Sequence, residues 1–125
     1  MTEIVNSIKE NKIFKTTAVD IVRDYVHPED FFSLVEKCIE QEKINDVFDV
    51  YSLQPVTKFE LLKGISESMK LNYEIDWELD FVNATGLKST YYSENRNAEK
   101  IGYKPKYNSL ESIKEEIKII LKWGI

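Results

Sequence analysis

Runs that favour β-strands alternate along this chain with amphipathic runs that favour α-helices, and this alternation limits the fold more than any other feature. The segments "KIFKTT" and "VDIVRDYV" are rich in β-branched and aromatic residues. They are followed by a stretch whose apolar residues recur at positions 31, 34, 35, 38 and 39, which is helical spacing. Further along, "LNYEIDWEL" alternates as a half-buried strand does. The pattern predicts an α/β fold, with a small mixed sheet and several helices packed against it.

Start and stop signals give the expected helix limits. Thr57 and Glu60 have capping-box spacing, and Pro28 suits the first turn of a helix that continues to about Glu42. Gly102 and the following proline end a short helix. The remaining expected helix limits are capping by Thr2, Ser93 and Ser109 and a last helix ending at Gly124.

Two further segments are interpreted as extended or irregular. The run "DVFDVYS" predicts a short buried strand. Periodicity fades from position 83 to 92, so that region is expected to be mostly loop, with a short strand around Thr90 to Tyr92.

Size, charge and cysteine content narrow the class of protein. The 125 residues are expected to form one domain over 1–125. A net charge of −5 with interleaved Lys and Glu leaves no basic face for nucleic acid, and no apolar run reaches the ~20 residues of a membrane span. The single cysteine, Cys38, forms no internal disulfide, which fits the cytoplasm, and its helical spacing favours a small core residue over a reactive thiol.

The usual catalytic devices are missing from the sequence. The four glycines are too far apart to form a dinucleotide-binding turn, and one His with one Cys cannot build a tetrahedral zinc site. His27 is either a structural histidine or, less favoured, the base of a small hydrolase together with Glu29 or Asp30. No catalytic, cofactor-binding or metal-binding residue is predicted.

Four segments carry a family resemblance. "VRDYVHPED", with Arg23, Asp24, Tyr25 and Asp30, resembles the Arg-Asp-aromatic signature in the C-terminal half of extended short-chain dehydrogenase/reductases, the NAD-dependent epimerase/dehydratase family of nucleotide-sugar enzymes. "FDVYSLQPVTKFELL", "SENRNAEKIGYKP" and "SLESIKEEIKIIL" follow in the family's order. Together they cover nearly the whole chain.

The resemblance implies a substrate-binding lobe. Members of the family carry an N-terminal Rossmann domain with a glycine-rich loop and a Tyr-x-x-x-Lys pair, and this sequence contains neither. The chain therefore looks like the nucleotide-sugar-binding lobe without its cofactor domain. It is expected to hold no cofactor and to be inactive by itself, with NAD or NADP and the hydride chemistry belonging to the missing domain.

The resemblance also suggests binding residues. The Arg that matches Arg23 contacts the substrate diphosphate in several members, and a guanidinium suits phosphate; the alternative is an ion pair with Asp24 or Asp30. The extended segment before the signature often contacts the nucleotide base, which points to Lys12 and Phe14, and Phe14 as ordinary core is an equal alternative.

A second cation is expected from another segment. The Arg-x-Gly-Asp segment of many members is replaced here by "ATGLKSTYY", in which Lys88 either substitutes for the Arg or is a surface residue.

Two functions follow from these observations. The preferred one is the nucleotide-sugar-binding C-terminal domain of an NAD(P)-dependent epimerase, dehydratase or reductase. The alternative is a free-standing α/β protein-interaction module. A lobe without its Rossmann domain is expected to expose an apolar patch that allows self-association, and the module is expected to recruit another protein through its exposed apolar face.

Overall fold

A computed structural model describes residues 1–77 and 89–123 of the chain. Its helices and strands alternate, as the sequence predicts. The helices are α1 (Thr2–Glu10), α2 (Pro28–Ile39), α3 (Lys58–Met69) and α4 (Ser109–Trp123), with a 3-10 helix at Asn97–Ile101. The strands are β1 (Phe14–Thr17), β2 (Val22–Arg23), β3 (Val56–Thr57), β4 (Tyr73–Asp76) and β5 (Thr90–Tyr91).

The described strands form two small sheets. Strands β1 and β4 run parallel, with Phe14 opposite Tyr73 and Thr17 opposite Asp76. Strand β2 lies at the centre of a mixed sheet, antiparallel to β3 and parallel to β5. The α/β prediction is therefore correct, including a small mixed sheet with helices around it.

Local signals predicted several helix ends correctly. Thr57 and Glu60 form the full capping box at the start of α3, and Pro28 begins α2. Gly102 ends the 3-10 helix in the left-handed conformation with φ 89°, which glycine adopts without a steric penalty. Helix α2 ends at Ile39, earlier than the predicted Glu42. The predicted end at Gly124 lies outside the described residues.

Three predicted caps are wrong. Thr2 lies inside α1, whose N-cap is Met1, and no side chain caps it. Arg96 is the N-cap of the 3-10 helix, while the Ser93 hydroxyl hydrogen-bonds Asp49 instead. Asn108 caps α4 by accepting a hydrogen bond from the Glu111 N–H at 2.8 Å. Ser109, one residue later, turns its hydroxyl toward β2, because a long-range partner is available there.

The predicted strand over "DVFDVYS" is not formed. Residues 45–52 are irregular, although Tyr51 and Ser52 are buried. The Ser52 N–H donates to a side chain, the Asp24 carboxylate, at 3.0 Å, and the Leu53 N–H donates to the Tyr107 carbonyl at 2.9 Å. Side-chain and loop acceptors replace the strand ladder that the apolar run predicted.

The strand predictions further along the chain are confirmed in part, because the first of these strands ends before Trp77, which is 72% exposed. Strand β4 covers the middle of "LNYEIDWEL", and β5 covers Thr90 and Tyr91. Leu79 and the loop predicted over 83–88 lie outside the described residues.

Two hydrophobic clusters hold the elements together. The larger joins α1, β3, α3 and α4 around Leu62, Ile65 and Ile117, and the smaller joins α2 to the 3-10 helix around Leu34, Ala98 and Tyr103. Cys38 packs against the smaller cluster, in agreement with the predicted core role, and it is partly buried. None of the described helices is long and apolar enough to cross a membrane.

Candidate functional site

A cavity of about 190 Å³ opens between β1, β2 and the start of α3. Its wall is mostly apolar and includes a few polar side chains, as is common for ligand pockets. The lining residues include two of the sequence candidates, Arg23 and Phe14. The full lining is Ile4, Phe14, Ile21, Arg23, Tyr25, Val56, Thr57, Lys58, Leu61 and Leu62.

Arg23 reaches this cavity from the end of β2 as an exposed side chain. Its guanidinium carbon lies 5.1 Å from the centre of the Tyr91 ring, on the neighbouring strand β5, a cation–π distance. Over residues 1–77 and 89–123, no carboxylate forms a salt bridge with Arg23. The ion pair with Asp24 or Asp30 that the sequence left open is therefore not formed.

Asp24 is occupied by other partners. Its carboxylate accepts hydrogen bonds from the Ser52 N–H at 3.0 Å, from the Ser52 hydroxyl, and from the Ser109 hydroxyl at 2.9 Å. The Ser109 hydroxyl in turn accepts from the Tyr25 N–H at 2.8 Å. Asp24 thus ties β2 to the irregular 45–52 segment and to the first turn of α4.

Asp30 has a similar structural role. It is 1% exposed, and its two carboxylate oxygens accept from the backbone N–H groups of Lys106 at 2.8 Å and Tyr107 at 3.1 Å. Because a buried carboxylate needs donors, these bonds fix the loop before α4 against the first turn of α2. Both acids of the signature are accounted for by folding, which leaves its arginine facing the cavity.

The other binding residues suggested by the sequence, Phe14, Lys12 and Lys88, differ in their position relative to the cavity. Phe14 packs against the larger hydrophobic cluster and also lines the cavity, so the core interpretation holds and its contact with the nucleotide base stays a prediction. Lys12 is exposed, does not line the cavity, and places its Nζ 2.5 Å from Glu10 Oε2. Lys88 lies outside the described residues.

Lys58 is a lining residue that the sequence analysis missed. It is the first residue of α3, and its Nζ donates to the Thr17 carbonyl at 2.7 Å and the Thr17 hydroxyl at 3.3 Å. Burial lowers the pKa of the Lys58 ammonium, and the charge of nearby Asp20 partly opposes this effect. The signal in the sequence was a cation at the positive end of a helix, where the macrodipole disfavours it.

The N-terminus of α3 is not available to bind an anion. The Thr57 N–H donates to Glu60 at 3.2 Å, and the Lys58 N–H to the Ile21 carbonyl at 2.8 Å. The Phe59 N–H donates to Asp20 at 3.1 Å, and the Glu60 N–H to Thr57 at 3.1 Å. A dinucleotide pyrophosphate needs free N–H groups and a glycine-rich approach at such a turn. The residues at this turn therefore do not fit NAD. Among the described residues, no group of three or more His, Cys, Asp or Glu side chains is arranged to hold a metal ion.

His27 is a structural residue at the start of α2. Its Nδ1 accepts from the Glu29 N–H at 3.1 Å, its Nε2 lies 2.7 Å from Glu115 Oε2, and its ring stacks on Tyr107 at 3.8 Å. Both ring nitrogens are engaged, so neither can activate a nucleophile. The hydrolase alternative with Glu29 or Asp30 loses its base.

Helix α2 presents an unusual outer face. Four of its apolar side chains are exposed: Phe31 by 55%, Phe32 by 62%, Val35 by 38% and Ile39 by 76%. Only Leu34 of the predicted apolar stripe is buried. These four exposed side chains lie within nine residues of one helix, and together they are called the α2 face below.

The described part of the chain has an α/β fold that also occurs in solved structures of a nucleotide-sugar epimerase. The chain is similar to crystal structures of UDP-glucuronic acid 4-epimerase from Bacillus cereus. With the NAD complex the TM-score is 0.70 at 12% identity, covering 97% of this chain and 38% of that one. With the complex of UDP-glucuronic acid and NAD it is 0.76 at 12% identity, covering 97% and 39%.

A point mutant of the same epimerase, in complex with UDP-4-deoxy-4-fluoro-glucuronic acid and NAD, gives a TM-score of 0.70 at 13% identity, covering 94% and 39%. No family model and no curated protein matches the chain. The resemblance inferred from the sequence is confirmed at the level of the fold. This chain spans less than two fifths of the length of those enzymes, consistent with their C-terminal portion.

Proposed function

We propose that this chain is the nucleotide-sugar-binding lobe of an NAD(P)-dependent epimerase, dehydratase or reductase. The observation that carries the proposal is Arg23, an exposed guanidinium without a described carboxylate partner, on the wall of a cavity. Its planar fork matches diphosphate oxygens and stays charged at physiological pH. The solved structures that share this fold hold UDP-glucuronic acid in one case and NAD in all three.

The lobe supplies binding and not the redox step. The start of α3 is closed to a dinucleotide, and no catalytic residue is assigned to this chain. NAD or NADP, with the hydride transfer, belongs to the cofactor domain that completes the enzyme. By itself the lobe is inactive, and it binds nucleotide sugar weakly, because half of an interdomain cleft offers half of the contacts.

The α2 face is the surface on which that cofactor domain docks. Its exposed aromatic and aliphatic side chains are the composition expected where a domain core has been cut in half. The matched enzymes extend well beyond the part that this chain covers, which provides an occupant of the right kind. A cytoplasmic location remains a prediction from the single cysteine.

Titration of the full chain with UDP-glucuronic acid, followed by amide NMR shifts, tests the proposal. We expect saturable shifts at Arg23 and at its cavity neighbours, and Arg23→Ala should abolish them. Lys104→Ala, which removes an exposed cation elsewhere, is the matched control and should bind as the parent does. If no saturable shift appears at any cavity residue up to millimolar ligand, the proposed function is wrong.

The second candidate is a protein-interaction module, and the α2 face is the observation that favours it. Such a module would bind a partner or a second copy through this face and leave the cavity unused. Self-association measured by sedimentation, together with an empty cavity in the UDP-glucuronic acid titration, would favour this candidate. Binding of UDP-glucuronic acid in the cavity favours the nucleotide-sugar-binding lobe, whether or not the chain self-associates.

A further inference from the structure

The second cation in the cavity occupies an unfavourable position for folding alone. Lys58 is partly buried and stands at the positive end of α3, where the helix dipole opposes its charge. No described carboxylate forms a salt bridge with it, although the charge of Asp20 is nearby, and its Nζ donates to two neutral oxygens of Thr17. A desolvated cation without a paired anion costs stability, and such groups cluster at functional sites.

The strand register places Lys58 beside Arg23. Arg23 is opposite Val56, and Val22 is opposite Thr57, so Lys58 comes next, opposite Ile21. The backbone bond from the Lys58 N–H to the Ile21 carbonyl, at 2.8 Å, confirms this placement. Lys58 is therefore the diagonal neighbour of Arg23, and diagonal neighbours lie about 7–8 Å apart. Both side chains line the same cavity, as do Ile21 and Val56.

We propose that Lys58 and Arg23 together hold the diphosphate of the nucleotide, with Lys58 as the second cation of the site. This inference rests on the proposed function and adds to it a residue that the sequence analysis did not assign. Thr17 uses two of the three ammonium donors and orients the side chain, which leaves one donor for a phosphate oxygen. Because the N–H groups at the start of α3 are all taken, the anion relies on these two side chains.

The test compares UDP with UMP on the full chain, since the two ligands differ by one phosphate. Lys58→Met removes the charge, Lys58→Arg keeps it, and Lys63→Met removes an exposed charge from the same helix as a control. Lys88→Met tests the rival cation from the sequence. Thermal unfolding of each variant checks that the fold is intact, because Lys58 also tethers Thr17.

We expect Lys58→Met to weaken UDP binding about tenfold, the effect of losing one charged hydrogen bond, and to weaken UMP binding less. Lys58→Arg should restore the preference for UDP, and Lys63→Met should leave it unchanged. If Lys58→Met folds and keeps the parent affinity for UDP while Arg23→Ala loses it, the role of Lys58 is refuted and the proposed function stands. If Lys88→Met loses the preference for UDP over UMP and Lys58→Met keeps it, the role of Lys58 is also refuted. If the parent chain binds neither UDP nor UDP-glucuronic acid, both proposals fail.

Discussion

The Asp24 carboxylate lies 2.9 Å from the Ser109 hydroxyl, across 85 positions of sequence. The Ser109 hydroxyl also accepts a hydrogen bond from the Tyr25 N–H. Two consecutive residues that follow β2 therefore contact the first residue of α4. The two residues of the Arg-Asp signature therefore have different roles. The Asp24 carboxylate accepts hydrogen bonds inside the fold and forms no ion pair with the neighbouring Arg23.

Asp24→Ala should lower the free energy of unfolding by about 3 kcal/mol, because it leaves the Ser52 N–H without its acceptor and removes a charged acceptor from the Ser52 and Ser109 hydroxyls. Urea denaturation measures the change. Glu36→Ala removes an exposed carboxylate from α2 and should stay within about 0.5 kcal/mol of the parent. Equal stability of the two variants would show that the Asp24 network contributes nothing.

Arg23 and Lys12 should behave differently although both were sequence candidates. Arg23→Ala should lose UDP binding with little change in unfolding free energy, because the side chain is exposed and has no described ion pair. Lys12→Ala should leave both quantities unchanged, since Lys12 pairs with Glu10 at the surface and does not line the cavity. A loss of UDP binding in Lys12→Ala would return Lys12 to the site.

Stability should fall in alkali because of Tyr103. Burial, followed by the charge of Asp30, raises the pKa of the Tyr103 hydroxyl, which donates to the Tyr51 carbonyl at 2.6 Å. A group whose folded pKa is raised stabilises the fold fully below its unfolded pKa, 10.0 for tyrosine, and loses that contribution as pH rises above it.

The measurement is the unfolding free energy of the parent and of Tyr103→Phe between about pH 8 and about pH 11. Tyr103→Phe should be less stable near neutrality and should lose less stability across this range. The lowered pKa of Lys58 makes stability rise with pH in the same range, which opposes the effect of Tyr103. The difference between the two proteins therefore isolates Tyr103, whereas the pH slope of the parent alone does not. Parallel slopes would contradict the prediction.

Substitutions on the α2 face should change self-association without changing the stability of the fold. Replacing Phe32 and Ile39 with serine should reduce self-association and dye binding, with a small change in the denaturation midpoint, because both side chains are more than half exposed. Leu34→Ser, on the buried side of the same helix, should destabilise the protein by about 3 kcal/mol or more. Unchanged sedimentation of the double variant would show that association uses another surface.

The candidate site was only partly predictable from sequence. The motif resemblance selected Arg23 and Phe14, and both line the cavity. It could not select Lys58, because the partner positions of Lys58 are 37 and 41 residues away along the chain, at Ile21 and Thr17. It also could not show that Lys12 lies outside the cavity lining, because this depends on where β1 begins.

The sequence by itself determined the features that depend on neighbours within about four residues. These are the alternation of helices and strands, the start of α2 at Pro28, the Thr57–Glu60 box and the left-handed Gly102, all produced by local hydrogen bonds and side-chain periodicity. Tertiary structure decided what depends on distant partners. Ser109 joins Asp24 instead of capping its own helix, residues 45–52 remain irregular, and four apolar side chains of α2 stay exposed. A buried polar group takes the acceptor that the whole fold brings to it, and local sequence does not specify that acceptor.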